Sequence, residues 1–151
     1  MAETKKKIVN KKVTSKKQAK RDYLFAVGRR KTAIARVRLY PNQRGEIEVN
    51  GFPIESYFPG ETMKALYLLA LRTCNVIGKY LITIKAEGSG KNSQLGAVSL
   101  GISRVLVKLN EEKFKPILKK RGLLTRDPRA KERRKAGTGG KARRQKQSPR
   151  R

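Results

Sequence analysis

Between residues 22 and 118 apolar positions recur with a period; outside that stretch they do not. Tyr23 to Val27 is an apolar run ending at Gly28 and predicts a first strand. Ala33 to Leu39 alternates, with Ala33, Ala35, Val37 and Leu39 on one side and Ile34, Arg36, Arg38 and Tyr40 on the other. Pro41 to Gly45 reads as a turn, and Glu46 to Asn50 alternates again before Asn50-Gly51, a second turn signal. Three antiparallel strands are expected.

Pro59-Gly60 interrupts the chain before a helix at about Glu61–Leu71, whose apolar set is Met63, Leu66, Tyr67 and Ala70. Lys79 to Ala86 predicts a fourth strand, with Tyr80, Ile82 and Ile84 on one face. A second helix runs from about Asn92 to Leu109, on a stripe of Leu95, Val98, Ile102, Val105, Leu106 and Leu109. A third, shorter helix opens with Glu111 and Glu112, closes with Lys119 to Arg121, and stops at Gly122; that charge order suits the helix dipole. Pro116 falls inside it, so a kink or a later start is expected. These elements make an α+β domain: a small four-stranded mixed sheet with helices on one face.

Charge divides the same chain into three zones. Residues 1–21 carry nine basic residues and one acid, residues 22–118 fifteen and eight, and residues 119–151 fifteen and two. All nine aromatics lie in the middle zone. The expected organisation is therefore a basic N-terminal extension over 1–21, a globular domain over 22–118 and a basic tail over 119–151, the ends staying disordered until bound.

A formal net charge of +28 calls for a polyanionic partner. No apolar run approaches the roughly 18 residues of a spanning helix, and no basic helix carries a wide apolar face, so nucleic acid is favoured over a membrane. A single cysteine, Cys74, cannot form an internal disulfide; with no signal-peptide pattern after Met1, this points to a reducing, cytoplasmic setting. The acid-poor start resembles an organellar transit peptide less well, being Lys-rich and carrying Glu3. With no His, no activating partner for Cys74 and scattered acids, neither catalysis nor a metal site nor a cofactor is expected.

Several short segments suit RNA phosphates. Gly28-Arg29-Arg30-Lys31-Thr32 reads as a tight basic knuckle between strands, with Gly28 permitting close backbone approach. Arg36 and Arg38 share a strand face and face either RNA or, across the sheet, Glu46 and Glu48. Glu87 to Ser93 resembles a nucleotide-binding loop but fails its spacing, with Lys85 where a Gly belongs and Asn92 where Ser or Thr belongs. A Gly-rich turn at a helix start remains, with Asn92 or Ser93 as cap, and helix starts hold anions. Gly96 and Gly101 thin one side of that helix, chiefly for packing on the sheet.

The tail is the strongest signal. Lys119, Lys120 and Arg121 lead into Gly122-Leu-Leu-Thr-Arg126-Asp-Pro-Arg129, then Lys131, Arg133, Arg134, Lys135, a Gly-rich spacer, Lys141, Arg143, Arg144, Lys146, Arg150 and Arg151. Lacking aromatics, it must act through phosphates and guanidinium planes. A protein that merely coats DNA would need only such tails, and the folded domain argues against that reading.

Taken together, Val27 to Arg38, Val49-Asn-Gly51 with Tyr57-Phe58, the Gly-rich loop with the helix through Gly101-Ile-Ser-Arg104, and Gly122 to Arg129 resemble the universal family of the ninth protein of the small ribosomal subunit, in its bacterial or organellar form. The resemblance spans about 22–144 and implies a fold like the second domain of ribosomal protein S-five. It implies a structural constituent of the small subunit, bound to ribosomal RNA in the head beside neighbouring head proteins, not a homo-oligomer. Its tail would reach the peptidyl-site tRNA. Family RNA contacts carry over to Arg29, Arg30 and Lys31, to Gly88, Ser89, Gly90, Lys91, Asn92 and Gln94, to Arg104, and to Arg126, Arg129, Arg143 and Arg144. The chain departs from the family at Ser89, where a third glycine is usual, and at its end, where Gln147-Ser-Pro-Arg150-Arg151 replaces an aromatic followed by Ser-Lys-Arg.

Overall fold

The computed structural model describes residues 22–134 and 136. Two strands, β1 (Leu24–Arg30) and β2 (Ala33–Tyr40), form a hairpin about a two-residue turn, Lys31-Thr32, in which Lys31 takes a left-handed φ of 51°. Then come β3 (Ile47–Val49), β4 (Phe52–Pro53), the single turn α1 (Ile54–Tyr57), α2 (Glu61–Thr73), β5 (Leu81–Glu87), α3 (Lys91–Leu109) and α4 (Glu111–Lys120). Asn50 and Gly51, both at positive φ, make the tight β3–β4 turn that their sequence announces.

The mixed α+β class is as expected, but the strand order is β1-β2-β5-β3-β4. β3 does not extend the hairpin antiparallel to β2; it runs parallel to β5, which lies between them. β5 offers β2 seven paired positions, whereas β3 has only three residues. A parallel join needs a long crossover, and α1 and α2 supply it. The fifth strand, β4, has two residues and is too short for alternation to reveal.

Alternation decides which face is covered. Ala33, Ala35, Val37 and Leu39 of β2 and Ile82, Ile84 and Ala86 of β5 are buried beneath α3, on which α2 and α4 pack. The α3 stripe is buried at Leu95, Val98, Ile102, Val105 and Leu106. In α2 the buried residues are Tyr67, Ala70 and Leu71, while Leu66, assigned to that set by spacing, is exposed. Gly28 and Gly101 face each other where β1 meets α3: a Cβ on Gly28 would lie 1.9 Å from the Ala97 carbonyl oxygen. Tight packing of the helix on the sheet thus accounts for Gly101.

The helix ends follow local chemistry. Asn110 caps α4 by accepting the Lys113 N–H at 3.1 Å, with Glu111 and Glu112 in the first turn. The helix starts at Glu111 and continues through Pro116 to Lys120 rather than starting later. Gly122, at φ 69°, closes it: its N–H donates to Lys119 and that of Leu123 to Leu118. That closure turns Leu123 and Leu124 back against the core.

Candidate nucleic-acid interface

The uncovered face of the sheet carries its charge in register. Arg36 of β2 lies between Val27 of β1 and Lys85 of β5; Arg38 lies between Phe25 and Thr83; Arg29 and Glu87 flank Ile34. Arg29, Arg36, Arg38 and Lys85 are all exposed. Like charges placed directly opposite on a sheet repel, so the Arg36–Lys85 pairing costs stability in the isolated protein. Glu87 eases it, lying 3.0 Å from Lys85, and Lys85 and Arg36 hold its carboxyl below the usual range. The Arg38 guanidinium lies 5.3 Å from the Tyr23 ring centroid, within cation–π distance. Because β5 separates β3 from β2, Glu46 and Glu48 are not cross-strand partners of Arg36 and Arg38.

The basic knuckle is less compact than its sequence suggests. Gly28, Arg29 and Arg30 belong to β1, so successive side chains point to opposite faces, and only Lys31-Thr32 forms the turn. Gly28 is buried against α3 and gives no backbone approach to a phosphate; its missing side chain is required by Ala97 and Gly101. Arg29 joins the open face. Arg30 lies on the helix side, donating to the Asn92 carbonyl at 3.3 Å and pairing with Asp127 at 3.3 Å.

At the same end of the sheet the Gly-rich loop lies beside the turn, close enough that a Cβ on Gly88 would fall 2.6 Å from the Thr32 carbonyl oxygen. A network holds the loop. Asn50 accepts the Ala86 N–H at 2.9 Å and donates to the Ala86 carbonyl at 3.0 Å, as a strand neighbour would. It also donates to the Tyr57 hydroxyl, which donates to Gln94 at 2.8 Å, and Gln94 donates to the Gly88 carbonyl at 3.1 Å. Lys91 lies 3.3 Å from the Tyr57 ring centroid and donates to the Tyr57 carbonyl. The motifs at Asn50-Gly51, Tyr57-Phe58 and Gly88–Gln94, far apart in sequence, thus form one support. Ser89 sits at φ 53°, where glycine is unstrained. The α3 cap is Gly90, with no side-chain cap from Asn92 or Ser93.

Arg104 is half-buried and donates to the Val27 carbonyl at 2.8 Å, and Lys108, one turn on, donates to the Phe25 carbonyl at 2.7 Å. Both cap carbonyls of β1, the edge strand, and so blunt an edge open to strand addition. Lys119, Lys120, Arg121, Arg126, Arg129, Arg133 and Arg134 are exposed. Lys119 and Lys120 stand on the last turn of α4. Residues 1–21, Lys135, Lys141, Arg143, Arg144, Arg150 and Arg151 lie outside the described residues.

Sequence reasoning missed Lys85, Lys108, Asn50 and Tyr57 as parts of this surface and its support. The phase of β5, with Ile82 and Ile84 inward, was the signal that puts Lys85 outward. Burial pushes the Cys74 thiol up, so it is not an activated nucleophile. No group of three metal-ligating side chains occurs among the described residues, and no helix there is long and apolar enough to cross a membrane.

Residues 28–151 match the family model of ribosomal protein S9/S16. The small ribosomal subunit protein uS9 of Maridesulfovibrio salexigens is 46% identical over 120 residues, covering 80% of this chain and 91% of the relative. Its counterpart in Anaeromyxobacter sp. (strain K) is 47% identical over 116 residues, covering 77% and 88%. That of Lawsonia intracellularis is 45% identical over the same length, with the same shares.

Proposed function

This chain belongs to the ribosomal protein S9/S16 family, a family of structural proteins and not enzymes, and from that premise we propose that it is built into the small ribosomal subunit by binding ribosomal RNA in the head, while its C-terminal tail reaches the peptidyl-site tRNA. The observation that carries the RNA reading is the Arg36–Lys85 juxtaposition on an uncovered sheet face, with Arg29 and Arg38 beside it. Cations held opposite one another are unfavourable alone and favourable under a phosphate backbone. The Lys31-Thr32 turn and the Gly88–Gly90 loop extend the same surface at one end of the sheet, where the start of α3 presents the positive end of its dipole to an anion.

The β3–β4 side of the domain suits a different neighbour. Residues 44–79 carry four acidic and four basic residues, so the whole +28 lies elsewhere in the chain. Phe52 and Ile77, 61% and 51% exposed, stand on this neutral flank and suit contact with a neighbouring head protein rather than RNA. For the tail, fifteen cations in residues 119–151 without an aromatic suit phosphate contact, and the family resemblance supplies the tRNA as its target.

Sedimentation of a cytoplasmic lysate through a high-salt gradient tests the first part. Co-migration with small subunits is expected, since salt strips proteins that merely coat nucleic acid; release to the top of the gradient would overturn it. For the second part, chains ending at Ala130 should enter small subunits yet hold peptidyl-site tRNA less tightly. Unimpaired tRNA binding by such particles would remove the tail from the function.

A further inference from the structure

Residues 22–118 carry a net +7 and residues 119–151 a net +13, so simple electrostatics drives the tail away from the domain. Only two acids, Asp127 and Glu132, interrupt the fifteen cations of the tail zone. An acid there weakens attraction to RNA and calls for another explanation.

The geometry around Asp127 provides one. Its Oδ2 lies 3.3 Å from Nη2 of Arg30. Oδ1 accepts the Arg129 backbone N–H at 3.0 Å and Nε at 3.0 Å, and Oδ2 accepts Nη2 of Arg129 at 2.8 Å. These bonds to Arg129, then the charge of Arg30, hold the Asp127 carboxyl well below the usual carboxylate range. Arg30 is itself fixed by the Asn92 carbonyl and lies flat along Gly96, where a Cβ would come within 2.4 Å of Arg30 Cδ. On the tail side, Pro128 restricts the backbone of Asp127 to extended conformations. Upstream, Leu123 and Leu124 pack on the core. A strand residue, a helix glycine and a tail acid thus meet at one bracket.

We propose that Asp127 is a positioning residue that bridges Arg30 of the domain and Arg129 of the tail, fixing the direction in which the tail leaves the domain. This rests on the reading of the tail as an RNA-contacting limb. A tail free to swivel at its root spreads its charge over many directions; a fixed root raises its effective concentration at one target. The bracket also accounts for Gly96, which leaves the space that Arg30 occupies.

The test places a hydroxyl-radical source on the tail in assembled small subunits, through Thr138→Cys in a Cys74→Ser background, and maps RNA cleavage. With the bracket intact, cleavage is expected at a few clustered nucleotides. Asp127→Ala and Gly96→Ala should each weaken the principal cuts and spread them to other nucleotides, with the melting temperature of the free protein held. The pairing of variants is the discriminating step. Asp127→Ala removes a negative charge and on electrostatics alone would tighten RNA contact; Gly96→Ala changes no charge and merely displaces the flexible Arg30 side chain. An unchanged pattern in either variant would overturn the proposal, as would sharper cleavage in Asp127→Ala. Absence of the unsubstituted protein from the particles would instead sink the underlying reading, and the bracket's role with it.

Discussion

The two faces of one sheet obey opposite rules, and β1 shows it within two residues. Gly28 faces α3 at a distance that admits no side chain, while Arg29 beside it is exposed on the open face. Under the helix, size is specified to within a methyl group: a Cβ on Gly28 would also meet the Gly101 nitrogen at 2.6 Å, and one on Gly101 would meet Val37 Cγ2 at 2.6 Å. On the open face, charge is specified and shape is not; Arg29, Arg36, Arg38 and Lys85 share only their sign. Period-two alternation lets one strand serve stability on one side and recognition on the other. The two properties should therefore separate under mutation.

The largest separation is expected at Gly28→Ala. The obstacles are backbone atoms of α3, which cannot rotate away, so strand and helix must part. Overpacking of this kind costs about 1–3 kcal/mol, the upper end applying where backbone blocks backbone. Thermal unfolding should drop by about 10 °C or more for a domain of this size. A melting temperature near that of the unsubstituted protein would show that helix and sheet can part at this point without cost.

Arg36→Ala combined with Arg38→Ala inverts that result. Stability should stay within about 0.5 kcal/mol, as for most surface changes, since relief of the Arg36–Lys85 repulsion offsets the lost attractions of Arg36 to Glu87 and of Arg38 to the Tyr23 ring. Binding to ribosomal RNA should weaken, and the slope of log affinity against log salt should shrink by about 0.7–0.9 for each phosphate contact removed. An unaltered slope would mean that the open face is only solvated, leaving recognition to the loop and tail. A smaller effect is expected from Tyr57→Phe, which strips one hydroxyl from the Asn50–Gln94 support. The loss should be about 0.5–1.5 kcal/mol of stability, read by urea denaturation; an unchanged midpoint would show the loop to be held by other contacts.

What the sequence disclosed follows the same division between local and non-local causes. The β1–β2 hairpin, the stripe of α3 and the stop at Gly122 were legible because alternation, helical spacing and a left-handed glycine are local rules. The partner of β3 was not, because three residues carry too little pattern to choose between β2 and β5. Charged side chains divided likewise. That Arg36 and Arg38 point away from the core could be read from phase, whereas Arg104 meeting the Val27 carbonyl, or Arg30 meeting Asp127, depends on packing between distant segments. A basic residue in a basic chain announces its charge, not its partner.

The smallest effect is expected at Ser89, where the backbone rather than the side chain is specified. Its φ of 53° is a conformation that costs a non-glycine residue about 1 kcal/mol or more. Ser89→Gly removes that strain but adds about 0.5–1 kcal/mol of chain entropy to the unfolded state. The two nearly cancel, and the net gain should be no more than about 0.5 kcal/mol, seen as a slight rise in the denaturation midpoint. RNA affinity should change little, because the loop is placed by Asn50, Tyr57 and Gln94 and not by Ser89 itself. A marked gain in affinity would mean instead that the serine side chain stands where a phosphate belongs, and the rule that this loop is specified by backbone alone would have to give way to one in which size counts on the open side too.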